Sequence, residues 1–297
     1  MGLSSNTLWH QTDEDGIKGI IKDRCLYISY SVEEVASAGY NAQFAYPMVS
    51  VCDLPLSETG NFLNKYGDYT IGLSSEWGKR NHFAAVWYCY KDSYALKTII
   101  ELFAKKIADF GDKVEDDKDY QRIVHILSYI KQYEGPLPKR NYNNYRFYDE
   151  RELRFVPSAD MLKDNGVKSM LWNYQLYKDT HNGSPLLPKS INIPFEWEDI
   201  KYIIVEEDKE KQEYKKLIEE SSGRNDLNIS FFTNKEVRED IIGVNHDEYD
   251  DPQIATDADI DELFERMKEL ERKQLTTEYD EKTETLYIKT VGDKEKK

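Results

Sequence analysis

Cysteine is scarce in this chain. Of 297 residues only Cys25, Cys52 and Cys89 are cysteine, widely spaced and without a C-x-x-C pair. That pattern excludes a disulfide framework and a zinc knuckle, and makes a reducing compartment the default. No apolar run approaches the about 18 residues that mark a membrane span. Met1 to Asn6 lacks the charged and apolar regions of a signal peptide, and Asn6 stands where a myristoylation signal has serine or threonine. The expectation is a cytoplasmic protein that does not enter a membrane. There is no G-x-G-x-x-G, P-loop or H-E-x-x-H, so dinucleotide dehydrogenases, P-loop NTPases and simple metalloproteases fit poorly, and no metal is expected. Positive charge is the other shortage. Forty Lys and Arg face 56 Asp and Glu, a net charge of −16, which argues against non-specific nucleic-acid binding by the molecule as a whole while leaving a local basic groove open.

Tyrosine, by contrast, is abundant, with 22 copies; its flat apolar body and polar tip suit half-buried clefts as well as cores. Short β-branched and aromatic runs alternate with helical periodicity. Strands are expected at Thr7–Thr12, Pro47–Cys52, Tyr69–Leu73, Phe83–Tyr90, Ile200–Val205 and Leu227–Phe232. Thr12 can cap a helix carrying Ile17, Ile20 and Ile21 on one face, and Ser31 a second short helix with Glu33 and Glu34 in its first turn. Further helices are expected over Tyr94–Phe110, Tyr120–Tyr133 and Asp208–Ser221, with the acidic stretch Asp112–Asp119 as a solvated connection. The irregular interleaving favours an α+β fold over a doubly wound sheet. After residue 242 the composition changes. Residues 243–297 hold 17 acidic and 9 basic residues, half of the whole net charge. We therefore divide the chain into a domain at 1–242 and an acidic, partly helical tail at 243–297, with an amphipathic helix at Asp257–Gln274 and a strand at Thr283–Val291.

The richest stretch for chemistry is Phe147-Tyr148-Asp149-Glu150-Arg151-Glu152-Leu153-Arg154-Phe155-Val156-Pro157, after a polar loop at Asn141–Tyr145. Read as a strand, it places Glu150, Glu152 and Arg154 on one face. Two carboxylates beside a guanidinium can hold a ribose or stabilise a developing cation; the same residues also make an ordinary charge ladder on an exposed strand.

Trp9-His10-Gln11-Thr12, followed by an isoleucine-rich helix, resembles the opening of ADP-ribosyltransferase folds. The resemblance implies a mixed-sheet core with flanking helices and NAD as substrate. His10 with Thr12 would hold the adenosine ribose, and Tyr27 or Tyr30 would pack on the nicotinamide. Glu152 would be the catalytic glutamate that favours an oxocarbenium-like transition state, with Glu150 activating the acceptor. The chain also resembles the AbiGi family of abortive phage resistance proteins. That likeness rests on Leu8–Thr12, Tyr46–Ser57, Tyr66–Leu73, Tyr133–Gly135 and Phe147–Arg154 and covers roughly Asn6 to Ile242; Gln11 and Leu153 depart from the family's more common Phe and Trp.

Three readings follow. One is NAD-dependent mono-ADP-ribosylation of a phage or host macromolecule. A second is a catalytically silent antitoxin that neutralises a cognate toxin through its acidic surface, as the family's description as an antitoxin implies. The plainest makes His10 a satisfied core histidine and the glutamates ion-paired. Transferase chemistry requires His10, a tyrosine and Glu152 to converge on one cleft.

Overall fold

The computed structural model describes residues 5–37, 40–59, 66–137, 142–172, 187–241, 275–280 and 285–290. The chain forms two compact units. The first comprises Met1–Glu33, Gln43–Trp87 and Phe147–Glu248, and the second Glu34–Ala42, Tyr88–Arg146 and Tyr249–Lys297. Strands and helices are numbered in chain order through both.

The first unit is built on a mixed sheet. Its strands are β1 (Thr7–Thr12), β3 (Ser29–Ser37), β4 (Tyr40–Cys52), β5 (Tyr69–Ser74), β6 (Ala84–Ala85), β11 (Glu152–Phe155), β12 (Leu171–Trp172), β14 (Ile200–Val205) and β15 (Ser230–Thr233). The order is β15-β14-β5-β1-β4-β11-β6, with β3 and β12 also paired to β4. The pair β14 and β15 is parallel; the neighbours β14/β5, β5/β1, β1/β4, β4/β11 and β11/β6 are antiparallel. Two short strands, β2 (Cys25–Leu26) and β13 (Ile193–Pro194), pair beside this sheet.

Residues directly opposite each other in a ladder share a face, and neighbours along a strand alternate. One face carries Leu8, Val49, Val51, Ile71, Leu73, Ile203 and Val205, all buried in a single apolar cluster. Helix α1 (Glu14–Asp23) lays Ile17, Ile20 and Ile21 on that face, three side chains each about 99–100% buried and worth roughly 1.5–3 kcal/mol apiece. Its N-cap is Asp13, whose carboxylate accepts from Gly16 N at 2.7 Å. Thr12, the expected cap, is still in β1, paired with Tyr69. The helix stops at Arg24, which turns into the left-handed region at φ +51°. Helix α3 (Ser75–Arg80) adds buried Trp77 to the cluster, and α7 (Asp208–Ser222) adds Tyr214 and Ile218. A cap from Glu207 and Glu210 opens α7 and Gly223, at φ +68°, closes it. Among the described residues this unit also has helices α2 (Leu56–Thr59), α6 (Ala159–Asp164) and α8 (Asn234–Ile241).

In the second unit, α4 (Tyr94–Phe110) is capped by Ser93 and buries Leu96, Ile100, Phe103 and Ala104. A 3₁₀ turn at Gly111–Asp116 leads into α5 (Lys118–Leu127), where Tyr120 stacks on Phe103 with ring centroids 5.5 Å apart. Strands β7 (Trp87–Cys89) and β8 (Ile130–Gln132) pair, as do β9 (Gly135–Leu137) and β10 (Tyr142–Tyr145). In the tail, β16 (Leu275–Asp280) and β17 (Thr285–Thr290) form an antiparallel hairpin. The helix expected at Asp257–Gln274 lies outside the described residues.

Other expectations need correction too. Ser31 does not cap a helix, because Ser29–Ser37 is strand β3, paired to β4. Helix α5 ends at Leu127 rather than near Tyr133; Ile130–Gln132 leaves it to pair with β7. The polar run before Phe147 is not a loop throughout, since Tyr142–Tyr145 pairs with Gly135–Leu137. The α+β class itself is what the fold shows.

Candidate functional site

The stretch read as one strand is two elements. Phe147–Glu150 is a 3₁₀ turn and β11 begins only at Glu152. Between them Arg151 sits at φ +44°, in the left-handed region that an extended strand does not use. Glu150 and Glu152 are therefore not neighbours on one strand face. Arg151 O accepts from Asp53 N at 3.1 Å, which fixes the bend against the end of β4.

Both glutamates are buried, and each has its own partners. Glu150 accepts from the Tyr66 hydroxyl. Glu152 lies opposite Cys52 on β4, which itself lies opposite Trp9 on β1. Its carboxylate accepts from Ser50 Oγ at 2.5 Å, from Arg154 Nε at 2.6 Å and from Arg154 Nη2 at 3.2 Å. Arg154 is fully buried and pairs a second time, with Glu33 of β3. A guanidinium enclosed by two carboxylates satisfies itself locally, which is the condition under which buried charge is tolerated.

On the same face, Trp9 packs on Tyr202, ring centroids 5.2 Å apart, and Tyr202 on Phe232 at 6.1 Å. Trp9 Nε1 donates to Leu54 O at 2.7 Å. Gly72, between Trp9 and Tyr202 in the ladder, has no room for a side chain, since a Cβ there would come 2.8 Å from the indole.

His10 alternates with Trp9 and lies opposite Ile71, so the pleat turns it to the apolar face, away from Glu152. Its Nδ1–H donates to Ser50 O at 2.9 Å; a carbonyl only accepts, which fixes the tautomer. Burial lowers its pKa below 6.5, against the opposing pull of that hydrogen bond, so the ring is held neutral. Thr12 ends β1 beside Gly67, whose missing Cβ lets the backbone come up to Thr12 O. The Tyr27 hydroxyl donates to Asp23 at 3.0 Å, and desolvation with that carboxylate pushes its pKa up to about 12. The Tyr30 hydroxyl donates to Lys168 O at 2.7 Å. The structure thus brings Glu152, Arg154, Glu33 and Ser50 together. His10 meets this group only at the Ser50 backbone carbonyl, with its ring on the other face, while the hydroxyls of Tyr27 and Tyr30 go to Asp23 and Lys168. Sequence reasoning missed Ser50 and Glu33 as members of this group: the alternation of Met48-Val49-Ser50-Val51 is a signal for Ser50, whereas Glu33 stands in a stretch that reads as a helix start.

Among the described residues no group of three or more His, Cys, Asp or Glu side chains is placed to hold a metal ion, and no helix is long and apolar enough to cross a membrane. The chain matches, over residues 24–206, the family described as "Putative abortive phage resistance protein AbiGi, antitoxin". The match covers more than half of the sequence, and the chain belongs to the AbiGi family. Comparison with curated proteins and with solved structures finds no match. Membership of the family implies a role in phage resistance by abortive infection.

Proposed function

We propose that this protein is the antitoxin of an abortive infection system, acting in the cytoplasm by binding a partner toxin and holding it inactive. The observation that carries the reading is the family match and its description as an antitoxin. The chemistry of the sheet supports it. A glutamate that stabilises an oxocarbenium ion needs a carboxylate free to face substrate, whereas the Glu152 carboxylate is engaged by Arg154 and Ser50. His10 is on the other face of the sheet. The −16 net charge suits a basic partner. A transferase using NAD has less support, because it requires those groups in one cleft.

The test is bacterial growth with the cognate toxin expressed alone and together with this chain. Relief of growth arrest by wild type is the expected outcome. Arrest that persists at equal toxin levels, or arrest caused by this chain on its own, would overturn the proposal.

A further inference from the structure

Helix α4 carries two apolar stripes. Leu96, Ile100, Phe103 and Ala104 point into the second unit and are buried. Ile99, Leu102 and Phe110 run along a different side of the helix, with the aliphatic stem of Lys106 between the last two. The Lys106 ammonium lies 5.2 Å from the Phe110 ring centroid and is neutralised by Asp117 at 3.0 Å and Asp119 at 3.2 Å. Leu102 is 51% exposed and Phe110 44%. Helix α5 runs back antiparallel, since Phe103 stacks on Tyr120 while the later Lys106 reaches the earlier Asp117 and Asp119. Ile123, half-buried, and Ile126, 37% exposed, therefore stand level with Leu102 and Ile99. The described residues leave this outer face of the α4–α5 hairpin open.

A helix that is apolar on two sides is normally covered on both. Three observations point to what covers this one. Residues 257–274, outside the described residues, place Ile260, Leu263, Phe264, Met267 and Leu270 at the spacing of a helix that lays one face in a groove. That segment ends at Gln274, directly before β16, and β16 belongs to the same compact unit as α4 and α5. Binding there is intramolecular and needs little intrinsic affinity, whereas a second copy has no such tether. Charge points the same way. Residues 88–146 hold 11 basic and 9 acidic residues, whereas the rest of the chain holds 29 basic and 47 acidic. Residues 257–274 hold 7 acidic and 4 basic, so an acidic helix is repelled elsewhere and accepted here.

We propose that residues 257–274 dock as a helix on the outer face of the α4–α5 hairpin, with the Ile260–Leu270 stripe set against Ile99, Leu102, Phe110, Ile123 and Ile126. Docked there, the segment buries its own apolar side and withholds an exposed apolar surface from other chains. The proposal does not depend on the antitoxin reading.

The test is photo-crosslinking of the purified full chain, with p-benzoylphenylalanine placed at position 110 and, in a separate preparation, at position 102. Position 97 is the control, since Lys97 is exposed and lies about 140° round the helix from both. Irradiation is expected to join positions 110 and 102 to residues 257–274 in a product of monomer mass, and position 97 is expected to give no such product. In Phe264→Glu/Met267→Glu the yield should fall roughly 10-fold or more, because two buried apolar anchors are replaced by charge. An unchanged yield in that variant, an equal yield from position 97, or products joined to other parts of the chain would overturn the proposal. A crosslinked dimer would give the face to a second copy and overturn it as well. So would the absence of any product from both positions.

Discussion

At the scale of single residues, the molecule turns on Arg154. It is fully buried between Glu152 and Glu33, and a buried ion pair broken on one side leaves charge that nothing compensates. Arg154→Met should therefore lower the free energy of unfolding by about 3–5 kcal/mol, read from urea denaturation. A loss under ~1 kcal/mol, the typical worth of an exposed pair, would mean the cluster is open to water. His10 makes a prediction of opposite character. The folded protein keeps it neutral below its ordinary pKa of 6.5, while the unfolded chain takes up a proton as pH falls through 6.5. The unfolded state then binds more protons, so stability declines as pH drops below that value and levels off once the folded histidine is itself protonated. Unfolding midpoints compared between neutral pH and a pH below 6.5 should fall further for wild type than for His10→Gln. Equal declines would show that burial does not govern this histidine.

At the scale of elements, close approach between neighbouring strands restricts which residues the sheet can hold. Strand β5 passes Trp9 only because residue 72 is glycine; a Cβ there meets the indole at 2.8 Å and Thr7 Cγ2 at 2.9 Å. Gly72→Ala should cost about 1–3 kcal/mol by overpacking and disturb the Trp9–Tyr202 contact, seen as a change in tryptophan fluorescence. An unchanged midpoint and spectrum would place slack where the structure has none. Elements with strong local periodicity were legible in the sequence. Helix α4 spans Tyr94–Phe110 and β14 spans Ile200–Val205, as expected from pattern alone. The misreadings occurred where long-range partners decide. Ser31-Val32-Glu33-Glu34 has the look of a helix start, yet pairing with β4 extends it, and Glu33 finds Arg154, 121 residues away. Phe147–Val156 alternates like a strand, but Arg151 at φ +44° breaks it, and no sequence rule signals a left-handed arginine. Of the candidate site, the residue types were legible and their grouping was not. Whether His10 and Glu152 share a face depends on register across β1, β4 and β11, which a single sequence does not display.

At the scale of the whole molecule, charge governs encounter. A chain of net charge −16 attracts a basic partner over distances comparable to the screening length, about 10 Å at 0.1 M salt. Association with the toxin should slow at least ~10-fold between low and high salt, with dissociation little changed, as for other electrostatically steered pairs. A salt-independent association rate would assign recognition to apolar contact instead. The central claim is that the protein works by holding a toxin. Its most direct test is size-exclusion chromatography with light scattering on purified chain mixed with purified cognate toxin. The account predicts a single complex of fixed stoichiometry that forms without NAD. Two separate components at concentrations well above those in the cell would contradict it.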